Sequence, residues 1–145
     1  MQAIKNMLSY TKLVFSTFTG PGEFWVLSID FDSNEAEVLT LVQKTMLKLD
    51  KCERRSIENR VLESQIEEWG TKYERSFYDG FRWSLTLYNG DTEIKKVSGV
   101  NDYPPSKQWQ PFMSMIHRLY DRTIKDGETE IFPAFNTPCG TDTGK

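Results

Sequence analysis

Two hydrophobic periods divide this chain. From Lys12 to Thr19 positions alternate, with Leu13, Phe15 and Thr17 on one side and Val14, Ser16 and Phe18 on the other. Gly20-Pro21-Gly22 breaks the run, and Phe24 to Phe31 resumes it in β-branched and aromatic residues. Two such runs joined by Gly and Pro predict antiparallel strands. Asp32-Ser33-Asn34 is a second turn signal. Beyond it, residues 37–46 read as strand or as helix, because Val38, Leu39, Leu41, Val42 and Met46 suit both periods.

The period then lengthens. Asp50 and Glu53 have the spacing of a capping box, and Ile57, Val61, Leu62, Ile66 and Trp69 recur at helical intervals among Glu, Arg, Asn, Ser and Gln. This predicts an amphipathic helix ending near Gly70, with a solvated charged face. After Asp79-Gly80 the strand period returns. Phe81, Trp83, Leu85 and Leu87 face one way, and Arg82, Ser84, Thr86 and Tyr88 the other. Asn89-Gly90 predicts a hairpin turn, and the lysine-rich return strand, Thr92 to Ser98, reads as an edge.

Tyr103-Pro104-Pro105 forces an extended entry to a last helix, with Ser106 as the natural N-cap. Trp109, Phe112, Met113, Ile116 and Tyr120 mark its apolar face, and Asp126-Gly127 ends it. Strands segregated from helices and joined by hairpins predict an α+β fold, an antiparallel sheet of four to five strands with two main helices packed on one face. Residues 1–127 form one domain in this reading, and residues 128–145 a polar, mobile C-terminal tail anchored only by Ile131, Phe132 and Phe135.

At 145 residues with net charge −3, the chain has the size of one domain and carries no basic run suited to nucleic acid. Aromatic residues make up 13% of it, enough to close a core despite modest aliphatic content. Cys52 and Cys139 are too few and too distant for a disulfide scaffold or a zinc site. No segment has the length and apolarity of a membrane span, and Met1 to Tyr10 lacks the pattern of a secretory signal. The expected location is the cytoplasm.

Candidate chemistry is sparse. His117, the sole histidine, adjoins the apolar stripe of the last helix and reads as a partly buried structural residue. Cys52 falls in the first turn of a helix, but Glu53 beside it opposes thiolate formation. Asp30, Asp32 and Asn34 match the first positions of a calcium loop, yet Glu35 stands where Gly is needed and Leu41 where a bidentate Glu belongs. An Asx-capped turn is the expected outcome there. Gly20-Pro21-Gly22 leads into a strand and lacks the following Lys, so it is no phosphate cradle. The sequence therefore calls for no cofactor and no metal, and it assembles no catalytic set.

Aromatic and turn residues cluster in two segments. Tyr73, Tyr78, Asp79, Asn101 and Tyr103 are the candidate binding residues, expected at one end of the sheet. The run Trp69, Tyr73, Tyr78-Asp79-Gly80, Trp83-Ser84-Leu85, Gly99-Val100-Asn101 and Tyr103-Pro104 resembles a pattern in small bacterial and phage α+β proteins of no known activity. That resemblance implies a bacterial or phage origin and transfers no catalytic residue. The expectation is a non-enzymatic module with a protein partner, of the immunity, adaptor or counter-defence type. The alternative is a small-molecule-binding or hydrolytic domain with a tyrosine-lined pocket.

Overall fold

The computed structural model describes residues 10–19, 23–74 and 81–132. Alternation produces the strands β1 (Lys12–Thr19), β2 (Glu23–Asp30) and β6 (Phe81–Asn89), with Leu13, Phe15, Leu27, Ile29, Trp83, Leu85 and Leu87 buried on one common face. The ambiguous stretch resolves into two strands, β3 (Glu35–Leu39) and β4 (Gln43–Lys48). Strand pairing wins there because it buries Ala36, Val38, Thr45 and Leu47 beside β2, while Leu41 and Val42 stay exposed at the turn.

Helix α1 (Lys51–Ser64) starts as the spacing predicts. Asp50 accepts from the Glu53 N–H at 2.8 Å, and Glu53 accepts from the Asp50 N–H at 3.1 Å. The helix ends earlier than the stripe suggested. Gln65 adopts φ 49°, and one 3-10 turn (Ile66–Glu68) re-aims Ile66 and Trp69 into the core. Leu62, expected in the stripe, is 41% exposed.

The sheet is larger than predicted, with eight strands in the order β5-β7-β6-β1-β2-β3-β4-β8. Besides the strands above, it holds β5 (Lys72–Glu74), β7 (Thr92–Val100) and β8 (Glu128–Ile131). It is mixed, because β5 runs parallel to β7 while all other pairs are antiparallel. Among the described residues the edges are thus β5 and β8. The lysine-rich β7 lies between β6 and β5, and Lys95 turns inward to donate to the Trp69 carbonyl at 2.7 Å.

Residues 128–131, expected in the tail, belong to the sheet. Gly127 makes this possible, since a Cβ there would lie 2.6 Å from both the Met46 and Thr123 carbonyl oxygens. Helix α2 (Ser106–Asp126) can therefore turn straight into β8, where Thr129 and Thr45 share a hydroxyl hydrogen bond at 2.9 Å. Pro105, rather than Ser106, occupies the N-cap of α2. Helix α2 buries Phe112, Met115, Ile116, Leu119 and Thr123, while Trp109, Met113 and Tyr120 are half-buried at its margins. Both helices cover one face of the sheet, as predicted. No helix among the described residues is long and apolar enough to cross a membrane.

The remaining turns follow local chemistry. Asp30 accepts from the Asp32 and Ser33 N–H groups at 2.9 and 3.1 Å, the expected Asx turn, and Asn34 takes φ 58°. Asn34 in turn accepts from Arg54 at 2.6 Å. In the β6–β7 hairpin the two central residues are Gly90 and Asp91, one position later than expected, with Gly90 at φ 63°. Glycine in the first central position is the requirement of a type II′ turn.

Candidate functional site

The site begins with a glycine. Gly99 on β7 lies opposite Trp83 on β6 and Tyr73 on β5, so the three occupy one row of the sheet. A Cβ at Gly99 would fall inside the Trp83 indole, 2.7 Å from Cζ2 and closer still to Nε1 and Cε2. Without it, the indole lies across the glycine and meets the Tyr73 ring in a stacked arrangement, centroids 6.1 Å apart. The Trp83 indole N–H donates to the Asp102 carbonyl at 2.9 Å, which ties the row to the chain entering α2.

Aromatic rings extend this row to the surface. Trp109, in the first turn of α2, packs 4.6 Å from Trp83 and 5.7 Å from Trp69. Tyr103 packs 5.2 Å from Trp109 and 6.2 Å from Phe81. The rings therefore form one continuous pile from buried Trp69 and Trp83 to Tyr103, which is 39% exposed.

The candidate residues divide by role. Asn101 adopts φ 55°, donates its N–H to the Phe81 carbonyl at 2.9 Å, and accepts from the Phe81 N–H through Oδ1 at 2.9 Å. Its amide continues the β6–β7 ladder past the end of the strand, which is a structural task. Tyr73 is half-buried, and its hydroxyl accepts from the Gly70 N–H at 2.7 Å. Among the described candidates, Tyr103 has the exposed ring. Tyr78 and Asp79 lie outside the described residues.

Trp109, which the sequence puts on the apolar face of the last helix, is half-buried against the core and also packs on the exposed Tyr103. Its position in the first helical turn, six residues after Tyr103 and beyond two prolines, was the available signal. A second feature was missed entirely. An open groove of about 190 Å³ runs between the helices, floored by Ile57, Met115 and Leu119 and rimmed by Arg60, Arg118 and Arg122. Arg122 is committed there, to Glu53 at 2.6 Å and Asp126 at 2.5 Å. The Glu53 hydrogen bond is the main cause holding its guanidinium pKa above the usual value.

The residues considered for catalysis stand apart from this end. His117 is exposed on α2, not partly buried as expected, and Cys52 is exposed in the first turn of α1. Cys139 falls outside the described residues. Among the described residues, no cluster of His, Cys, Asp and Glu could hold a metal ion. Among the described residues, the aromatic end offers a broad stacking area.

Comparison with protein-family models and with curated proteins gives no match.

Proposed function

We propose that this chain is a non-enzymatic protein-interaction module of the immunity, adaptor or counter-defence type, acting in the cytoplasm. Its contact surface is the aromatic end around Tyr103 and Trp109. The observation that carries this reading is the exposed Tyr103 ring on a rigid support of Trp109 and Phe81. Tyrosine and tryptophan on a fixed support bury large area with little loss of side-chain freedom, as interface anchors do. The inward groups at this end, the Trp83 indole N–H and the Tyr73 hydroxyl, are already bonded within the chain. They hold the platform in place and leave Tyr103 to meet a partner.

The test is capture of a partner from the host lysate, identified by mass spectrometry and then titrated. Tyr103→Ala should leave stability within about 1 kcal/mol of wild type, since the ring is substantially exposed. It should weaken the partner about tenfold, or about 1.4 kcal/mol. Leu62→Ala, on the solvent side of α1, should leave affinity unchanged. Unchanged affinity in Tyr103→Ala would refute the assignment of this surface.

A further inference from the structure

Helices α1 and α2 pack antiparallel, with Glu53 meeting Arg122 at one end and Gln65 meeting Gln108 at the other, at 2.6 and 2.9 Å. Between these two ties the helices do not interlock. Ser56 on α1 and Ser114 on α2 are too short to fill the space that larger side chains would occupy. The groove left there is chiefly apolar, with Ile57, Met115 and Leu119 as its floor. The arginine stems add to this surface, since a long cationic side chain lays its methylenes along the wall and keeps its guanidinium at the rim.

The rim charges are not equivalent. Arg122 is neutralised by Glu53 and Asp126. Arg60 makes an exposed pair with Glu63 at 3.6 Å, a contact of a kind that holds its partners weakly. Among the described residues Arg118 has no ion pair or hydrogen bond, and Asp121, one helical turn on, does not pair with it. Glu53, the carboxylate in the lining, is already bonded to Arg122. One free guanidinium and one weakly held guanidinium therefore stand on opposite walls above an apolar floor.

We propose that this groove binds a linear aliphatic carboxylate, its headgroup held between Arg118 and Arg60 and its tail along Ile57, Met115 and Leu119. Charge selects an acid over an alcohol or an amine, and the planar guanidinium fork matches a carboxylate in bidentate fashion. Size sets the length. From residue 53 to residue 60 the groove spans about 10 Å, at about 1.5 Å per helical residue. An extended eight-carbon chain reaches roughly 9 Å, from C–C bonds of about 1.5 Å. The groove volume of about 190 Å³ is below the range of roughly 300–1,000 Å³ for drug-sized ligands, which limits the occupant to a small molecule of this kind. The groove shares no residue with the aromatic end, so failure of this proposal leaves the reading of Tyr103 untouched, and the reverse holds too.

Titration of octanoate into the full chain, followed by methyl-group NMR, tests the proposal. The methyls of Ile57, Met115 and Leu119 should shift saturably, with a Kd of about 1 mM or below for a ligand of about ten non-hydrogen atoms. Octanol and octylammonium should bind about tenfold more weakly or worse, because neither forms the charge-assisted pair. Arg118→Gln should weaken octanoate about tenfold and leave octanol unchanged. Ser114→Phe, which fills the groove from its wall, should abolish binding. Both positions are exposed, so both variants should keep the wild-type circular dichroism. Tyr103→Ala should leave octanoate binding unchanged. Octanoate that fails to saturate, octanol that binds as tightly, or Arg118→Gln that binds normally would each overturn the proposal. So would shifts of these methyls that follow protein concentration, which would give the groove to a second copy, or shifts produced by an acidic leucine-containing peptide and not by octanoate.

Discussion

Gly99→Ala isolates the packing on which the aromatic end depends. The backbone at Gly99 does not require a positive φ, so alanine is not excluded by conformation and the penalty is steric. Its Cβ would occupy the space of the Trp83 indole. The ring has little room to retreat, because Phe15, Trp69, Tyr73 and Trp109 surround it, the last at 4.6 Å. Displacing it forfeits the hydrogen bond to Asp102, about 1 kcal/mol, and overpacks the pile, typically ~1–3 kcal/mol. The reduced freedom of the unfolded chain offsets ~0.4–1 kcal/mol of this. The expected net loss is about 2 kcal/mol, or roughly 4–8 °C in Tm for a chain of this length. Urea denaturation followed by circular dichroism measures it. A double-mutant cycle with Trp83→Leu supplies the decisive comparison, since leucine stops short of Gly99. In that background Gly99→Ala should be nearly neutral. An equal loss in both backgrounds would refute the steric account and point to the backbone instead.

Further outcomes follow from the same local geometry. Asn101→Ala should lose about 2 kcal/mol, from the left-handed backbone and from the unpaired Phe81 N–H, whereas Asn101→Gly, which removes the acceptor but tolerates the left-handed backbone, should lose about 1 kcal/mol; equal losses in a urea melt would contradict this division. Tyr10 is buried against Phe31 and its hydroxyl finds no hydrogen-bond partner among the described residues, so Tyr10→Phe should stabilise the fold by about 1 kcal/mol. Burial first, and the nearby Glu67 carboxylate second, raise the Tyr10 pKa well above its ordinary value. The unfolded chain therefore ionises this phenol first, at about pH 10, and wild-type stability should fall as pH rises beyond that point. Stability of Tyr10→Phe should fall less steeply in urea melts taken above pH 10, and identical slopes would remove Tyr10 as the cause.

Much of the architecture was legible in the sequence because it is local. Period-two alternation in β1, β2 and β6 specifies which side chains reach the core, whatever partner the strand finds. The Asp50–Glu53 capping box and the Asp30 turn close within a few residues, so composition and spacing suffice to predict them. The same reasoning found both helices and the side of the sheet that they cover. Of the aromatic and turn residues it grouped, Tyr73 stacks on Trp83, while Asn101 and Tyr103 meet Phe81.

Features that require distant partners were not legible. β5 is three residues long and β8 four, too short to show a period, and each becomes a strand only because an edge is available, β7 for one and β4 for the other. Leu62 matches the helical stripe, but the left-handed Gln65 turns the chain before that flank can be buried. The division between Asn101 and Tyr103 is likewise tertiary. An asparagine reads the same in sequence whether its polar group meets water or a backbone N–H twenty residues away. Only the folded chain, by placing Phe81 beside Asn101, consumes that group and leaves the Tyr103 ring exposed. Sequence determines which residues can be buried and which turns can form, because those depend on neighbours along the chain. Which surface stays open depends on where distant segments meet, and that belongs to the tertiary structure alone.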